Sequence, residues 1–300
     1  MTATVVERAR RSAPGRLATE AARHGVRAVG AATASLRPGP DLLVVGAKRA
    51  GTTSMWEYLR QHPGVLPLYP AAEHLKGLYY FDVHYERGER WYRSHFDTAA
   101  WRSRRERELG HPTVAAEASP YYLFHPLAAE RARALLPDAR VVVLLRDPVE
   151  RAYSHWKERC RHTETLGFAQ ALLAEPLRTA GEEERLVVDP TAVSFAHRHQ
   201  TYVAQGCYST PLRRWFDAYG RDRVEVVVAE ELFARPQSVV DRIWGQMGLP
   251  PQPLVDVSAH NSAPSPDMDP AVRRQLRKYF LPETARLEIL LGRTLPWPNT

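Results

Sequence analysis

The sequence predicts an α/β protein with a P-loop-like central parallel sheet and helices on both faces. Three observations carry this. Leu42–Val45, Val141–Leu145 and Val224–Val228 are short, uninterrupted apolar runs, the form of strands buried on both faces. Each run is followed by helix-forming sequence, and strands alternating with helices imply parallel pairing. The first run also leads into a glycine-bearing loop and the second into Asp147-Pro148, both of which open helices.

The elements follow in order. Pro38-Gly39-Pro40 is a breaker, so a single domain is expected over 41–300, preceded by an Ala/Arg-rich tail over 1–40 that is partly helical or disordered. Ser54–Gln61 reads as a helix stopped by His62-Pro63. Glu89–Phe96 has Trp91, Tyr92 and Phe96 at core spacing. Val114–Ala116 is a short strand, His125–Leu136 a helix, and a helix from Asp147-Pro148 runs to about Arg161. Residues 162–200 are polar and read as an irregular surface excursion. Thr210–Tyr219 and Gln237–Met247 are helices, and six prolines make 250–270 a surface loop. Pro270 caps a last helix that runs to about Leu291.

The net charge is +7, but residues 1–40 hold seven Arg and two Glu, which leaves only +2 for the remainder. The basic excess is a property of the tail, and no nucleic-acid partner is expected. Lysine is rare: Lys48, Lys76, Lys157 and Lys278 are the four in the chain, so each placement is informative. Cys160 and Cys207 form neither a disulfide framework nor a metal spacing. No run of 18 apolar residues is present and none of the N-terminal sequence is a signal peptide. The expectation is a cytoplasmic protein without a membrane span, with peripheral membrane contact left open to the basic tail. Oligomeric state is not legible.

The most informative stretch runs from Gly46 to Thr53. Following a strand and preceding a helix, it places backbone N–H groups and a positive helix end where a phosphate can sit. Its glycine spacing matches the Walker loop, but Thr52 stands where the Walker Lys would be, and the lysine lies inside the loop at Lys48. That displacement aims the ammonium at a shorter group, near a scissile bridging oxygen.

Two fingerprints then coincide. Ala47-Lys48-Arg49-Ala50-Gly51-Thr52-Thr53-Ser54, closed by His62-Pro63, and Arg146-Asp147-Pro148-Val149-Glu150-Arg151-Ala152-Tyr153-Ser154 each follow a buried strand. Together they resemble the sulfotransferases that use 3′-phosphoadenylyl sulfate (PAPS). Tyr80-Phe81-Asp82, Ser119-Pro120-Tyr121-Tyr122 and Gly206-Cys207-Tyr208 are similar to the heparan-sulfate-type carbohydrate branch and its bacterial relatives, over roughly 41–297. The resemblance implies that Lys48, Arg49, Gly51, Thr52, Thr53 and Ser54 cradle the 5′-phosphosulfate. It implies that Arg146 and Ser154 hold the 3′-phosphate, with Tyr208 near the nucleotide. A guanidinium at a strand's carboxyl end suits a phosphate dianion on physical grounds as well.

Sulfuryl transfer needs in-line positioning, charge stabilisation at the leaving oxygen and a base. Lys48 is the expected leaving-group stabiliser, and no metal is required. The family's base, a Glu in K-E-x-H-[FY]-F-D, falls at Gly77, and its second lysine, in E-K-[ST]-P, falls at Ala118. Glu73 is therefore the first candidate base, His74 the second and Glu117 the third. The acceptor, a hydroxyl or amine of a carbohydrate, glycolipid or small natural product, is not specified. A P-loop nucleotide kinase and an inactive nucleotide-binding protein on the same scaffold are the alternatives.

Overall fold

The computed structural model describes residues 25–258 and 267–298. Five parallel strands form one sheet: β1 (Leu42–Gly46), β2 (Val65–Leu66), β3 (Val114–Ala118), β4 (Arg140–Leu145) and β5 (Val224–Val228), in the order β2-β3-β1-β4-β5. All five residues of β1 and of β3 are buried. Side chains alternate between the faces of a strand, so both faces of the sheet are covered, as the continuous apolar runs predict.

The helices are α1 (Thr52–Leu59), α2 (Gly88–Arg93), α3 (Ala99–Leu109), α4 (Ala128–Leu135), α5 (Pro148–Cys160), α6 (Phe168–Thr179), α7 (Glu182–Val188), α8 (Phe195–His199), α9 (Ser209–Tyr219), α10 (Ala229–Ala234), α11 (Pro236–Gln246) and α12 (Pro270–Leu291). α5 starts where the sequence places it. Pro148 takes the first helical position, and Asp147 Oδ1 accepts from the N–H groups of Val149 (2.9 Å) and Glu150 (3.4 Å). The predicted 250–270 loop is tied down where it is described. The Tyr58 hydroxyl donates to the carbonyls of Val257 and Ser258 at 3.0 and 2.9 Å. Residues 259–266 lie outside the described residues, as do 1–24 of the expected tail.

Two expectations are corrected. The ordered domain begins before residue 41. Residues 25–32 are helical, Ala34–Leu36 form a 3-10 turn, and Arg37 is buried. Its guanidinium donates to the Phe96 carbonyl and lies 4.2 Å from the Tyr69 ring centroid. Pro38-Gly39-Pro40 thus turns an already docked chain into β1. A Cβ on Gly39 would come within 2.3 Å of the Leu136 side-chain end, so a larger residue there would displace Leu136.

The second correction concerns 162–200, which is not irregular but holds α6, α7 and α8. Its polar residues mask a core. Glu175 is buried and accepts from the N–H groups of Val203 (2.7 Å) and Ala204 (2.8 Å). Glu164, also buried, accepts from Arg178 at 2.6 Å, from the Tyr202 hydroxyl at 2.7 Å and from the N–H of Leu166 at 3.0 Å. Burial pushes the Glu164 carboxyl up, but these donors overcome it and hold it down at about 2. Phe168, Ala171 and Tyr202 pack with Val149 and Phe280 in a second hydrophobic cluster that fastens this segment to α5 and α12.

Candidate functional site

β1 and β4 are neighbours, and the loops leaving them open at the same carboxyl edge, the ordinary ligand crevice of a parallel sheet. After β1, Gly51 caps α1 at φ 89°, a left-handed conformation that favours glycine. The turn brings the loop's backbone and the first hydroxyls of the helix together.

Lys48 and Lys76 meet at this loop. Lys76 Nζ donates to Thr52 Oγ1 (3.2 Å) and Thr53 Oγ1 (3.0 Å). Lys48 Nζ donates to the Arg198 carbonyl at 2.6 Å and lies 6.0 Å from the Tyr121 ring centroid. Burial, with Arg198 adding to it, pushes the Lys48 ammonium down to about 7. Burial likewise pushes Lys76 down to about 8. Two buried ammonium groups, pushed down by burial despite the nearby Glu158 and Glu57, make a strong anion site.

The second cationic group lies between β1 and β4. Arg49 Nε donates to Ser154 Oγ at 3.1 Å, and Arg146 donates to the Arg49 carbonyl at 3.3 Å. Tyr208 is fully buried, and its hydroxyl donates to the Arg146 carbonyl at 2.9 Å. Residues from two separate fingerprints are thereby locked into one constellation.

A cavity of about 840 Å³ joins both groups. Lys48, Arg49, Gly51, Thr52, Thr53, Arg146 and Ser154 all line it. So do Lys76, Lys157, Arg159, Arg161, Arg198 and His199. Cations on its walls outnumber the carboxylates of Asp147, Glu150, Glu158 and Glu230 by eight to four. Three of the chain's four lysines are here. In a chain whose basic residues are nearly all Arg, that concentration marks the site. Ser54 is fully buried behind the loop and does not line the cavity. Tyr208 acts from beneath, holding Arg146 rather than facing the cavity.

Residues 39–279 match the sulfotransferase domain family. The chain belongs to the sulfotransferase family. A sulfotransferase from Alicyclobacillus acidocaldarius is 29% identical, with a TM-score of 0.62 over 85% of this chain and 97% of that one. The bifunctional heparan sulfate N-deacetylase/N-sulfotransferase 1 of Homo sapiens is 28% identical over 211 residues, 70% of this chain and 22% of that protein. The membrane-associated sulfotransferase kil1 of Dictyostelium discoideum is 22% identical over 327 residues, 87% of this chain and 67% of its own length. This chain spans only about 22–23% of the heparan sulfate relatives' length.

In this sulfotransferase the three candidate bases taken from the sequence do not reach the cavity. Glu73 pairs with Arg27 of the N-terminal helical segment. His74 is exposed, at the end of a 3-10 turn. Neither lines the cavity. The docked N-terminal segment supplies Glu73 with a cation, Arg27, and neither residue lines the cavity. Glu117 is fully buried. It accepts from the hydroxyls of Tyr92 (2.9 Å) and Tyr122 (3.0 Å) and from the N–H of Leu78 (2.9 Å). Burial pushes its carboxyl up to about 6. Its role is to join β3 to the 78–80 segment.

Gly77 shows why the family's Glu is missing from its usual place. A Cβ there would lie 2.3 Å from the Ala118 carbonyl and 2.5 Å from Ser119 Oγ, so this backbone admits no side chain. Lys76, one residue earlier, escapes that crowding and reaches the loop. Sequence reasoning had two usable signals for Lys76, the rarity of lysine and its match to the Lys of K-E-x-H-[FY]-F-D. For Arg198 and His199 it had none, because their segment reads as polar surface.

Proposed function

We propose that this sulfotransferase moves a sulfuryl group from PAPS to a hydroxyl or amine of a carbohydrate, glycolipid or small natural-product acceptor. One observation carries this: a single cavity with a lysine-bearing phosphate loop at one end and the Arg49–Ser154–Arg146 group at the other. Two cationic groups in one cavity suit a donor with two anionic ends, and 840 Å³ lies within the usual range for ligand pockets, about 300–1,000 Å³. Phe233, beside Gly51, adds an exposed aromatic face suited to a purine.

Lys48 is the candidate for neutralising charge on the leaving oxygen, with the N–H groups of the loop. Lys76, already bonded to Thr52 and Thr53, fixes those hydroxyls and adds a second cation. Arg146 and Arg49 present N–H donors to the ribose phosphate, which distinguishes PAPS from ATP. PAPS supplies the activated sulfuryl group, and these side chains bind and orient it. The heparan sulfate N-deacetylase/N-sulfotransferase relatives support a carbohydrate among the acceptor classes.

Calorimetry with 3′,5′-ADP, the desulfated donor, tests the donor assignment. Micromolar or tighter binding without Mg²⁺ is expected, and stronger stabilisation than by ADP with Mg²⁺ excludes the kinase alternative. Arg146→Ala is expected to weaken 3′,5′-ADP by about 2 kcal/mol, roughly 30-fold, the scale of a lost hydrogen-bonded charge contact. Affinity unchanged in Arg146→Ala, or absent in the unmodified protein, rejects the proposal. Radiolabelled PAPS with an acceptor library then separates an enzyme from an inactive binder.

A further inference from the structure

We propose that His199, on α8, is the base that takes the proton from the acceptor. This rests on the sulfuryl-transfer function above and supplies the group that the family motif leaves vacant at Gly77.

The cavity wall narrows the choice among the described residues. Four carboxylates line it, and each is engaged. Asp147 Oδ1 caps α5, and its Oδ2 pairs with Arg277 at 2.6 Å. Glu150 pairs with Arg273. Glu230 accepts from the Asp147 N–H and from the Trp297 indole, both at 3.2 Å. Glu158 lies 3.6 Å from Arg159 and 3.3 Å from His162.

His199 differs from all of them. His199 lines the cavity, and its Nδ1 is buried without a hydrogen-bond partner. The Phe195 ring packs at 5.0 Å and orients it. The preceding residue, Arg198, offers its carbonyl to Lys48 at 2.6 Å, so the backbone of α8 ties the imidazole to the lysine assigned to the leaving oxygen. His155, the other unpartnered histidine nearby, is fully buried and does not line the cavity.

Burial and the surrounding cations keep the imidazole in its neutral form. Burial pushes the imidazole down to about 3, and Lys48, Arg198, Arg159 and His162 push in the same direction. The ring is therefore neutral near pH 7 and keeps one lone-pair nitrogen. Lys48 is the largest of those charges. An anionic donor against Lys48 offsets it and raises the basicity of His199, so the base strengthens when the donor is in place.

The step balances. The acceptor's lone pair forms the new bond to sulfur. The bond from sulfur to the bridging oxygen breaks, and its electron pair stays on the 5′-phosphate of 3′,5′-ADP. The acceptor proton passes to His199, which returns it to water after the products leave.

The test uses His199→Gln and His199→Ala in the full chain, with water as acceptor, because water needs no knowledge of the natural one. Enzyme in excess over radiolabelled PAPS is followed for sulfate release in a single turnover. His199→Gln is expected to fall about 10²-fold, the low end for a general base, with 3′,5′-ADP affinity within about twofold of the unmodified protein. Added imidazole is expected to restore His199→Ala, which a purely structural role would not allow. In NMR titrations the His199 ring signal, identified by its loss in His199→Gln, is expected to shift its pKa up by at least about one unit with 3′,5′-ADP bound. A His199→Gln protein that binds 3′,5′-ADP and turns over normally overturns the assignment and leaves sulfuryl transfer standing. So does a loss that imidazole does not restore, a pKa unmoved by 3′,5′-ADP, or an unmodified protein that binds 3′,5′-ADP yet leaves PAPS intact. Absence of 3′,5′-ADP binding to the unmodified protein overturns the sulfuryl-transfer function itself.

Discussion

The two sides of the cavity are built differently. The side proposed to bind the donor comes from two contiguous peptides, 46–54 and 146–154, each fixed at the end of a buried strand that pairs directly with the other. The opposite side comes from α8, a five-residue helix carried by the 162–206 segment and held by buried Glu164 and Glu175. The first needs only a strand, a turn and a helix start, all local. The second needs residues far apart in the chain to bury their carboxylates together.

The sharpest break between the two sides is Lys48→Met. If Lys48 serves the leaving oxygen, turnover of PAPS falls about 10²–10³-fold, the usual effect of removing one such donor, while the thermal midpoint changes little. Unchanged turnover would move catalysis away from the loop.

Glu164→Ala addresses the opposite side. Removing one partner of a buried, hydrogen-bonded ion pair costs about 3–5 kcal/mol, read in urea unfolding. Because the folded carboxyl sits near 2, below its ordinary 4.5, its contribution to stability is present above pH 4.5. It is lost as pH falls from 4.5 through 2. The unmodified protein's stability is expected to drop across that window more steeply than that of Glu164→Ala. Parallel pH curves would show that Glu164 is no hub.

A smaller effect sharpens the donor side. Lys48 near 7 and Lys76 near 8 are partly neutral at pH 8, and a bound dianion favours their charged forms. Binding of 3′,5′-ADP at pH 8 is expected to take up about one proton, measured by calorimetry in buffers of different ionisation enthalpy. Uptake is expected to vanish at pH 5.5, where both are already charged, and to shrink in Lys76→Met.

The smallest expected effect is at Glu73. Paired with Arg27 away from the cavity, Glu73→Gln is expected to change turnover less than about twofold and to lower stability by less than about 1 kcal/mol. A 10²-fold loss would return the base to that loop.

Legibility in the sequence follows the same division. The apolar runs at Leu42, Val141 and Val224 gave strands to within a residue or two, and Asp147-Pro148 gave the start of α5. Arg49, Arg146 and Ser154, read from two fingerprints, are found joined. The two-residue β2 carries too few residues for a pattern. Residues 162–200 misled because a buried carboxylate and an exposed one look alike until their donors are known. Glu164 finds Arg178 and Tyr202, and Glu175 finds two backbone N–H groups beyond Tyr202.

The amino-acid order alone determined the parallel α/β scaffold and the two peptides that meet at the cavity, 46–54 and 146–154, because strand hydrophobicity, glycine spacing and helix caps act over a few neighbouring positions. Tertiary structure alone decided that Glu73 turns to Arg27, that Glu117 is sealed among tyrosines, and that Lys76 and His199 face the cavity. Those outcomes depend on which distant group takes up each buried charge or hydrogen bond, and that is settled only when the chain closes on itself.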